Sequence, residues 1–223
     1  MTERIWEILS NAFWRILIPG IKVTLPLTFF SFVLAFVISV VVALLQYANV
    51  KVLKQLSRVY IWFIRGTPLL VQLYVVYYGL PSIGIKLEAF PAAILTFAFN
   101  EGAYMAESMR GALEAVPKGQ IEAGYCVGMS YMQIIRRIVL PQALRTAFPS
   151  LSNSLISMVK GTSMASTITI VEMFRQAQVI NAIYYEPLWL YLEAAMFYLL
   201  FCSIITLLQR AGEKRLDTYG GVK

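Results

Sequence analysis

PKGQIEAGYCVGMSYMQIIRRIVLP, residues 117–141, is a polar and basic stretch between two strongly apolar segments. Pro117 suits the start of a first short helix, because a proline there gives up only an amide that would be unpaired anyway. Gly128 can end that helix in the left-handed conformation that other residues resist. Ser130 and Gln133 then have the spacing of a capping box for a second helix. The stretch, which we call the insert, therefore predicts two short helices with a break between them.

The second predicted helix of the insert is amphipathic. Arg136 and Arg137 fall on its polar face, where they remain in water. Leu140-Pro141 is expected to turn the chain back toward the membrane. The insert is thus suited to lie on a membrane surface and to press one face against a soluble partner. Its apolar stripe consists of Ile134, Ile135, Ile138 and Val139.

The remainder of the chain is poor in charge. Of its 223 residues, 59% are hydrophobic and only 14% are charged, whereas a soluble domain carries about 25% charged residues. Charge this sparse, combined with long uncharged runs, predicts an all-α integral membrane protein. The net charge of +7 does not indicate nucleic-acid binding, because the basic residues collect in particular loops. The absence of histidine excludes histidine-based catalysis and most zinc or haem sites.

The apolar runs predict one transmembrane domain over residues 1–223 with five spans. Residues 1–22 form an amphipathic pattern with two tryptophans, which is typical of a helix at the membrane interface. Residues 167–186 are too polar to cross the membrane by themselves. The five spans cover residues 23–50, 59–80, 89–113, 143–163 and 187–209.

The loops differ in basic content. With five spans, one side of the membrane holds residues 46–58, 108–145 and 210–223, which carry twice as many Lys and Arg residues as the segments on the other side. Basic loops remain in the cytoplasm. The sequence therefore predicts that the insert and the C-terminus lie inside the cell and that the N-terminus lies outside.

Charged residues within the predicted spans are candidate functional groups, since each costs about 2.5–3.5 kcal/mol at the membrane centre unless it has a partner or a wet cavity. Glu101 and Glu107 either line a substrate route or pair with a nearby arginine to hold helices together. Arg65 precedes a helix-loosening Gly-Thr-Pro triplet; it either meets a substrate carboxylate or, as the pattern favours, serves as a structural ion pair or interfacial anchor. Glu193 has no evident role.

Two polar clusters lie in the fourth predicted span. Lys160-Gly161-Thr162-Ser163 suits a broken helix whose exposed backbone holds a zwitterion, although small residues there also allow close helix packing. The earlier cluster favours helix packing over binding; it comprises Ser152, Asn153, Ser154 and Ser157.

Several motifs together resemble one known family. Glu122-Ala123-Gly124, followed by Gly128 and by Ile138, Leu140 and Pro141, resembles the EAA loop of permease subunits in binding-protein-dependent ABC importers. Gly124 replaces the usual alanine, and Gly161 stands where many relatives have aspartate. Over residues 18–210 the chain is similar to the polar amino acid subfamily, on the strength of Arg65-Gly66-Thr67-Pro68, Ala103-Tyr104-Met105-Ala106-Glu107, Arg110-Gly111-Ala112-Leu113, Leu140-Pro141-Gln142-Ala143 and Lys160-Gly161-Thr162-Ser163.

The resemblance implies a transmembrane subunit that translocates a polar amino acid, or a derivative such as cystine, across the bacterial cytoplasmic membrane. It implies that the insert carries the coupling helix and docks on a separate ATPase, with Glu122, Ala123, Gly124, Gly128, Ile138, Leu140 and Pro141 as coupling residues. The predicted substrate-pathway residues are Arg65, Thr67, Asn100, Glu101, Tyr104, Glu107, Lys160, Thr162 and Ser163.

The expected partners follow from the same resemblance. They are an ATPase dimer that binds ATP and Mg²⁺, a second copy of the chain or a sibling, an extracellular solute-binding protein and membrane lipid. This chain itself has no G-x-x-x-x-G-K-[ST] phosphate loop, so we expect neither catalysis nor a cofactor in it. The alternative is an ion-coupled secondary transporter, which would need no bulky insert.

Overall fold

The computed structural model describes residues 2–48 and 50–218, and within these ranges it is helical and contains no strand. The predicted all-α membrane fold is confirmed. The helices are α1 (Thr2–Pro19), α2 (Leu25–Tyr47), α3 (Lys51–Arg65), α4 (Leu69–Tyr74), α5 (Ala89–Glu114), α6 (Lys118–Cys126), α7 (Tyr131–Ile134), α8 (Leu140–Gly161), α9 (Met173–Tyr184) and α10 (Pro187–Thr218). Wider π turns occur at Gly20–Thr24, Val75–Gly79 and Ile135–Val139, and 3-10 turns at Leu80–Ile83 and Thr162–Ile168.

Each of the three π turns leads into a Leu-Pro pair. The leucine amide donates to the carbonyl five residues earlier, rather than four. Proline has no N–H and its ring clashes with the carbonyl four residues before it, so a widened turn lets the helical path continue past it. The predicted turn at Leu140-Pro141 is therefore wrong, because the chain stays helical from the π turn into α8. The three pairs are Leu25-Pro26, Leu80-Pro81 and Leu140-Pro141.

Helix length and composition identify candidate membrane spans within the described residues. Two helices, Glu3–Tyr47 and Pro187–Leu216, are each long and apolar enough to cross a membrane. Two bent pairs qualify only when each is taken as one span: Lys51–Arg65 with Leu69–Ile83, and Tyr131–Ile168 with Met173–Tyr184. The second predicted span is accordingly broken at Gly66-Thr67-Pro68, the triplet that the sequence marks as helix-loosening.

The described chain divides into two compact units. The first unit contains residues 2–33, 68–97 and 155–208. The second contains residues 34–48, 50–67, 98–154 and 209–218. A single transmembrane domain over residues 1–223 stays a prediction.

The core of the first unit is built on one face of α1. Ile8, Ala12 and Ile16 recur every four residues and are almost fully buried, while Trp6 and Trp14 on other faces are exposed. The α1 stripe packs into one cluster with residues of α9 and α10, which include Met173, Ala177, Ile180, Leu190, Ala194, Phe197 and Phe201.

In the second unit, α2 and α5 approach closely at a glycine. A Cβ atom built at Gly102 would lie 2.9 Å from Ile38 Cγ2, so no larger residue fits without movement. Nearby, Tyr60 of α3 donates a 2.6 Å hydrogen bond to the carbonyl of Phe99. These contacts hold α2 and α3 against α5, and α5 carries Glu101, Glu107, Arg110 and Glu114.

Candidate functional site

The insert forms the two short helices, with a break between them, that its sequence predicts. Helix α6 begins after Pro117 and ends in a Schellman motif: Met129 donates to the Gly124 carbonyl over 3.0 Å, and Gly128 donates to the Tyr125 carbonyl over 3.0 Å. Gly128 has the left-handed φ of +76° that this motif requires. The break between α6 and α7 is therefore fixed by backbone hydrogen bonds.

Helix α7 begins with the predicted capping box. The Ser130 amide donates to Gln133 Oε1 over 2.8 Å, and the Gln133 amide donates to Ser130 Oγ over 3.4 Å. The predicted stripe is also confirmed: Arg136 and Arg137 are exposed, whereas Ile134, Ile135 and Val139 are buried and Ile138 is half-buried. Leu140 is half-buried and Pro141 exposed.

Gly124 is the buried residue of α6. A Cβ atom there would lie 2.8 Å from Ile134 Cγ1 and 3.2 Å from Ile138 Cδ1. Its small size therefore lets α6 pack on the apolar stripe that follows. Gly124 thus points into the insert itself rather than outward, and its role as a coupling residue stays a prediction.

The rest of α6 is almost wholly exposed. Glu122 and Ala123 lie on its surface. Large apolar side chains are exposed around them, of which Val127 is 76% exposed. Exposed apolar surface rimmed by charge marks an interaction site. The other exposed members of this surface are Tyr125, Cys126, Tyr131 and Met132.

Glu107 belongs to an ion-pair network in the second unit. Arg110 lies 3.1 Å from Glu107 and 2.8 Å from Glu114, and Gln46 donates to Glu107 over 3.3 Å. Glu107 thus pairs with a nearby arginine, which is one of the two possibilities open for it; that it also lines a substrate route stays a prediction. The network lines one side of a cleft of about 410 Å³.

Arg65 lines the same cleft but contacts an aromatic ring instead of an acid. Its guanidinium carbon lies 5.1 Å from the centroid of the Tyr104 ring, within the range of a cation–π contact. The Thr67 hydroxyl donates to the Phe63 carbonyl over 3.0 Å, near the broken end of α3. The structure therefore brings Arg65, Tyr104 and Glu107 into one unit and leaves Thr67 in a capping role.

Glu101 has a different partner from those that the sequence suggests. Its carboxylate accepts a hydrogen bond from Ser154 of α8. A second pair joins the same two helices: the Ser150 hydroxyl of α8 donates to the Ser108 hydroxyl of α5 over 2.8 Å. Asn100, next to Glu101, is buried. Two polar pairs thus join α5 and α8. For Ser154 this agrees with the prediction that its cluster serves helix packing.

The first unit contains the other predicted pathway residues. Lys160 and Ser163 line a cleft of about 560 Å³ together with Phe174, Tyr191 and Tyr198. Thr162 is fully buried, and its hydroxyl donates to the Val159 carbonyl over 2.6 Å. Lys160 and Ser163 are therefore accessible from one cavity, whereas Thr162 faces the protein interior.

Glu172 has a structural role that the sequence does not predict. This glutamate is fully buried and caps α9 by accepting from the amides of Phe174 (2.9 Å) and Arg175 (2.7 Å). It also accepts from the hydroxyl of Tyr198, which interacts with Thr162 as well. Glutamate is not among the favoured N-cap residues, so only its position directly before an apolar helix could have indicated this role.

Two further observations concern the polar groups of the described chain. One carboxylate oxygen of Glu193 is buried and has no hydrogen-bond partner among the described residues. No group of three or more Cys, Asp or Glu side chains in the described residues is arranged to hold a metal ion.

Comparison with known proteins gives a consistent result. Residues 35–218 match the family described as binding-protein-dependent transport system inner membrane component. The chain is 43% identical over 215 residues to the L-cystine transport system permease protein TcyB of Bacillus subtilis (strain 168), covering 96% of this chain and 92% of that protein. It is 45% identical over 166 residues to the octopine transport system permease protein OccM of Rhizobium radiobacter, covering 70% and 68%.

The fold is also similar to a solved transporter. The crystal structure of an amino acid ABC transporter with histidines contains a chain that is 34% identical to this one, with a TM-score of 0.82. The match covers 90% of this chain and 94% of that chain. The similarity therefore extends over nearly the whole length of both.

Proposed function

This chain belongs to the family of binding-protein-dependent transport system inner membrane components, and we propose that it imports a polar amino acid or a derivative such as cystine by coupling to a separate ATPase. The names of its relatives support the substrate class, since they include cystine and octopine permeases. Membership in a transport family supports this interpretation over an ion-coupled secondary transporter.

The observation that carries the proposal is the folded insert. Its two short helices are held by a Schellman motif and a capping box, so the insert is a defined element rather than a flexible loop. Helix α6 buries Gly124 and exposes Glu122 and Ala123, and Val127 directly after the helix is exposed as well. In the proposal this surface docks on the ATPase, where Glu122 accepts a hydrogen bond or ion pair.

Force enters the membrane through one continuous helical path. The apolar stripe of the insert leads through the π turn directly into α8, without the turn expected at Leu140-Pro141. Displacement of α6 is therefore passed to Ile134 and Ile138, on which Gly124 packs, and then along α8. Leu140 and Pro141 act in this proposal as the junction between the insert and α8.

Each unit, taken by itself, offers proposed substrate contacts. In the second unit, α5 carries Asn100, Glu101 and Tyr104. The Glu101 carboxylate can bind an ammonium group. In the first unit Lys160 and Ser163 line a cleft and can bind a carboxylate. Arg65, Thr67, Glu107 and Thr162 are engaged with neighbouring protein groups and are proposed to position these elements.

The proposal includes the partners and the orientation that the sequence implies. Two permease chains, identical or sibling, would form the route, and a solute-binding protein outside the cell would deliver the substrate. ATP and Mg²⁺ would bind the ATPase dimer, while this chain supplies no catalytic group. The basic loops support an insert and C-terminus in the cytoplasm and an N-terminus outside.

Co-purification tests the proposal directly. The tagged chain, isolated from its own cells in mild detergent, is expected to carry an ABC ATPase whose ATP hydrolysis rises with substrate-loaded binding protein. Uptake into vesicles that follows an ion gradient in the absence of ATP would instead establish the secondary transporter.

A further inference from the structure

The cleft in the second unit is strongly basic on one wall. Helix α3 contributes Lys54, Arg58 and Arg65, and α5 contributes Arg110. Its volume of about 410 Å³ lies within the range of about 300–1,000 Å³ that is usual for small-molecule sites. The cleft can therefore hold a group much larger than a water molecule or a single ion.

The acidic residues of the cleft do not cancel this charge. Glu107 and Glu114 both pair with Arg110, which leaves that subset with one net negative charge. Neither Lys54 nor Arg58 forms an ion pair with a described residue, and Arg65 lies over the Tyr104 ring. With three further bases, the lining has a net charge of about +2 and favours an anion.

Helix α3 is amphipathic in a way that suits the edge of a membrane. The spacing of Lys54, Arg58 and Arg65 places them on one helical face, and α3 contains no acidic residue. A second face is apolar yet exposed to the surroundings of the protein; it consists of Val52, Leu56, Val59 and Phe63. By their spacing the two faces lie on nearly opposite sides of α3. A helix with one basic and one apolar face is typical of the interface of an anionic membrane.

Trp62 lies at the boundary between these surfaces. It lines the cleft and is 74% exposed. Tryptophan is enriched at the depth of lipid headgroups, because its ring is apolar and its N–H is a donor. Trp62 therefore indicates the depth at which the mouth of the cleft lies.

We propose that this cleft binds the phosphate of an anionic phospholipid, with Lys54 and Arg58 as its ligands and the acyl chains running past Trp62, which follows Arg58 by one helical turn. The basic groups supply charge-assisted hydrogen bonds to the phosphate oxygens. The exposed Trp62 ring, which lines the cleft, favours a lipid over a free phosphate ion. That the lipid belongs to the inner leaflet rests on the orientation given under the proposed function.

Native mass spectrometry of the full chain in detergent tests the proposal without an ATPase or a transport substrate. The chain is offered equal concentrations of dioctanoyl phosphatidylglycerol and dioctanoyl phosphatidylcholine. The wild type is expected to retain the anionic lipid preferentially. The double variant Lys54→Gln/Arg58→Gln should bind it about thirtyfold more weakly, the loss expected for two basic groups near an anionic surface.

Three controls keep the test specific. Lys22→Gln/Lys86→Gln removes two exposed bases outside the cleft and should bind as the wild type does. Arg58→Lys keeps the charge and should retain most of the binding. A millimolar excess of inorganic phosphate should not displace the lipid.

The opposite results would overturn the proposal. Equal retention of the two lipids, or unchanged binding by the double variant, would show that the cleft takes no anionic headgroup. Displacement by inorganic phosphate would assign the cleft to the free ion. Since each readout is lipid retention, failure here is distinguishable from failure of ATPase coupling.

Discussion

Gly124 and Ile134 lie so close together that a Cβ atom on the glycine would stand 2.8 Å from Ile134 Cγ1. Substituting Gly124 with valine should push α6 off the apolar stripe of the insert, since overpacking costs about 1–3 kcal/mol. We expect Gly124→Val to lose most substrate-stimulated ATP hydrolysis in the assembled transporter, with the chain still inserted in the membrane. Gly119→Val is the matched control, because a Cβ atom at Gly119 in the same helix meets nothing within 4 Å.

The left-handed backbone conformation of Gly128 should make this position intolerant of β-branched residues. At φ +76° a β-branched residue is strained, and the left-handed conformation costs an ordinary residue about 1–2 kcal/mol. Gly128→Val should therefore open the Schellman motif and uncouple or detach the ATPase. Gly128→Asn should be much milder, because asparagine tolerates this conformation. Transport-coupled ATP hydrolysis retained in full by the valine variant would contradict the coupling role of the insert.

Substitution of Glu101 tests whether this residue binds substrate or only packs helices together. Glu101→Gln keeps a side chain that can accept the hydrogen bond of Ser154 but removes the negative charge. We expect assembly to be preserved and the KM for substrate uptake to change, if the carboxylate binds an ammonium group. Ser154→Ala removes the partner and retains the charge, so it should leave substrate selectivity intact. Uptake kinetics that do not change in Glu101→Gln would identify Glu101 as a packing residue.

The hydrogen bond from Tyr198 to Glu172 is predicted to stabilise the first unit. A hydrogen bond to a charged group contributes about 1.5–3 kcal/mol, and Glu172 is fully buried. Tyr198→Phe should lower the free energy of unfolding by about this amount, which would appear as a lower melting temperature in detergent. Tyr191→Phe is the comparison, because its contact with Asn181 is a longer 3.4 Å. Equal melting temperatures for the two variants would show that the Glu172 contact is not stabilising.

The local chemistry of the insert could be predicted because it depends on neighbouring residues. The left-handed glycine, the capping box and the Ile134–Val139 stripe each follow from turn and helix rules over a few positions. The direction of Gly124 could not be predicted, since a nine-residue helix does not reveal which of its faces is covered. The prediction of a turn at Leu140-Pro141 was wrong because a π turn accommodates the proline within the helical path, and the local sequence does not reveal this.

For the charged residues, too, the sequence predicts which groups need a partner but not which partner each one finds. The sequence marks Glu101, Glu107 and Arg65 as groups that need partners, and this follows from the cost of charge in a membrane. Which partner each one finds depends on helix packing, so Glu107 pairs with Arg110 while Glu101 binds Ser154. The cap of α9 could not be predicted, because glutamate is an unusual N-cap residue. Its second partner, Tyr198, comes from α10, which lies farther along the chain.

Labelling of Cys126 tests the central claim most directly, namely that the insert meets a cytoplasmic ATPase. Cys126 is exposed on α6, and Cys202→Ala leaves it as the one cysteine of the chain. A membrane-impermeant maleimide is expected to label Cys126 in inside-out vesicles stripped of the ATPase, and rebinding the ATPase should protect it. Labelling only in right-side-out vesicles, or labelling that the ATPase leaves unchanged, would contradict the account.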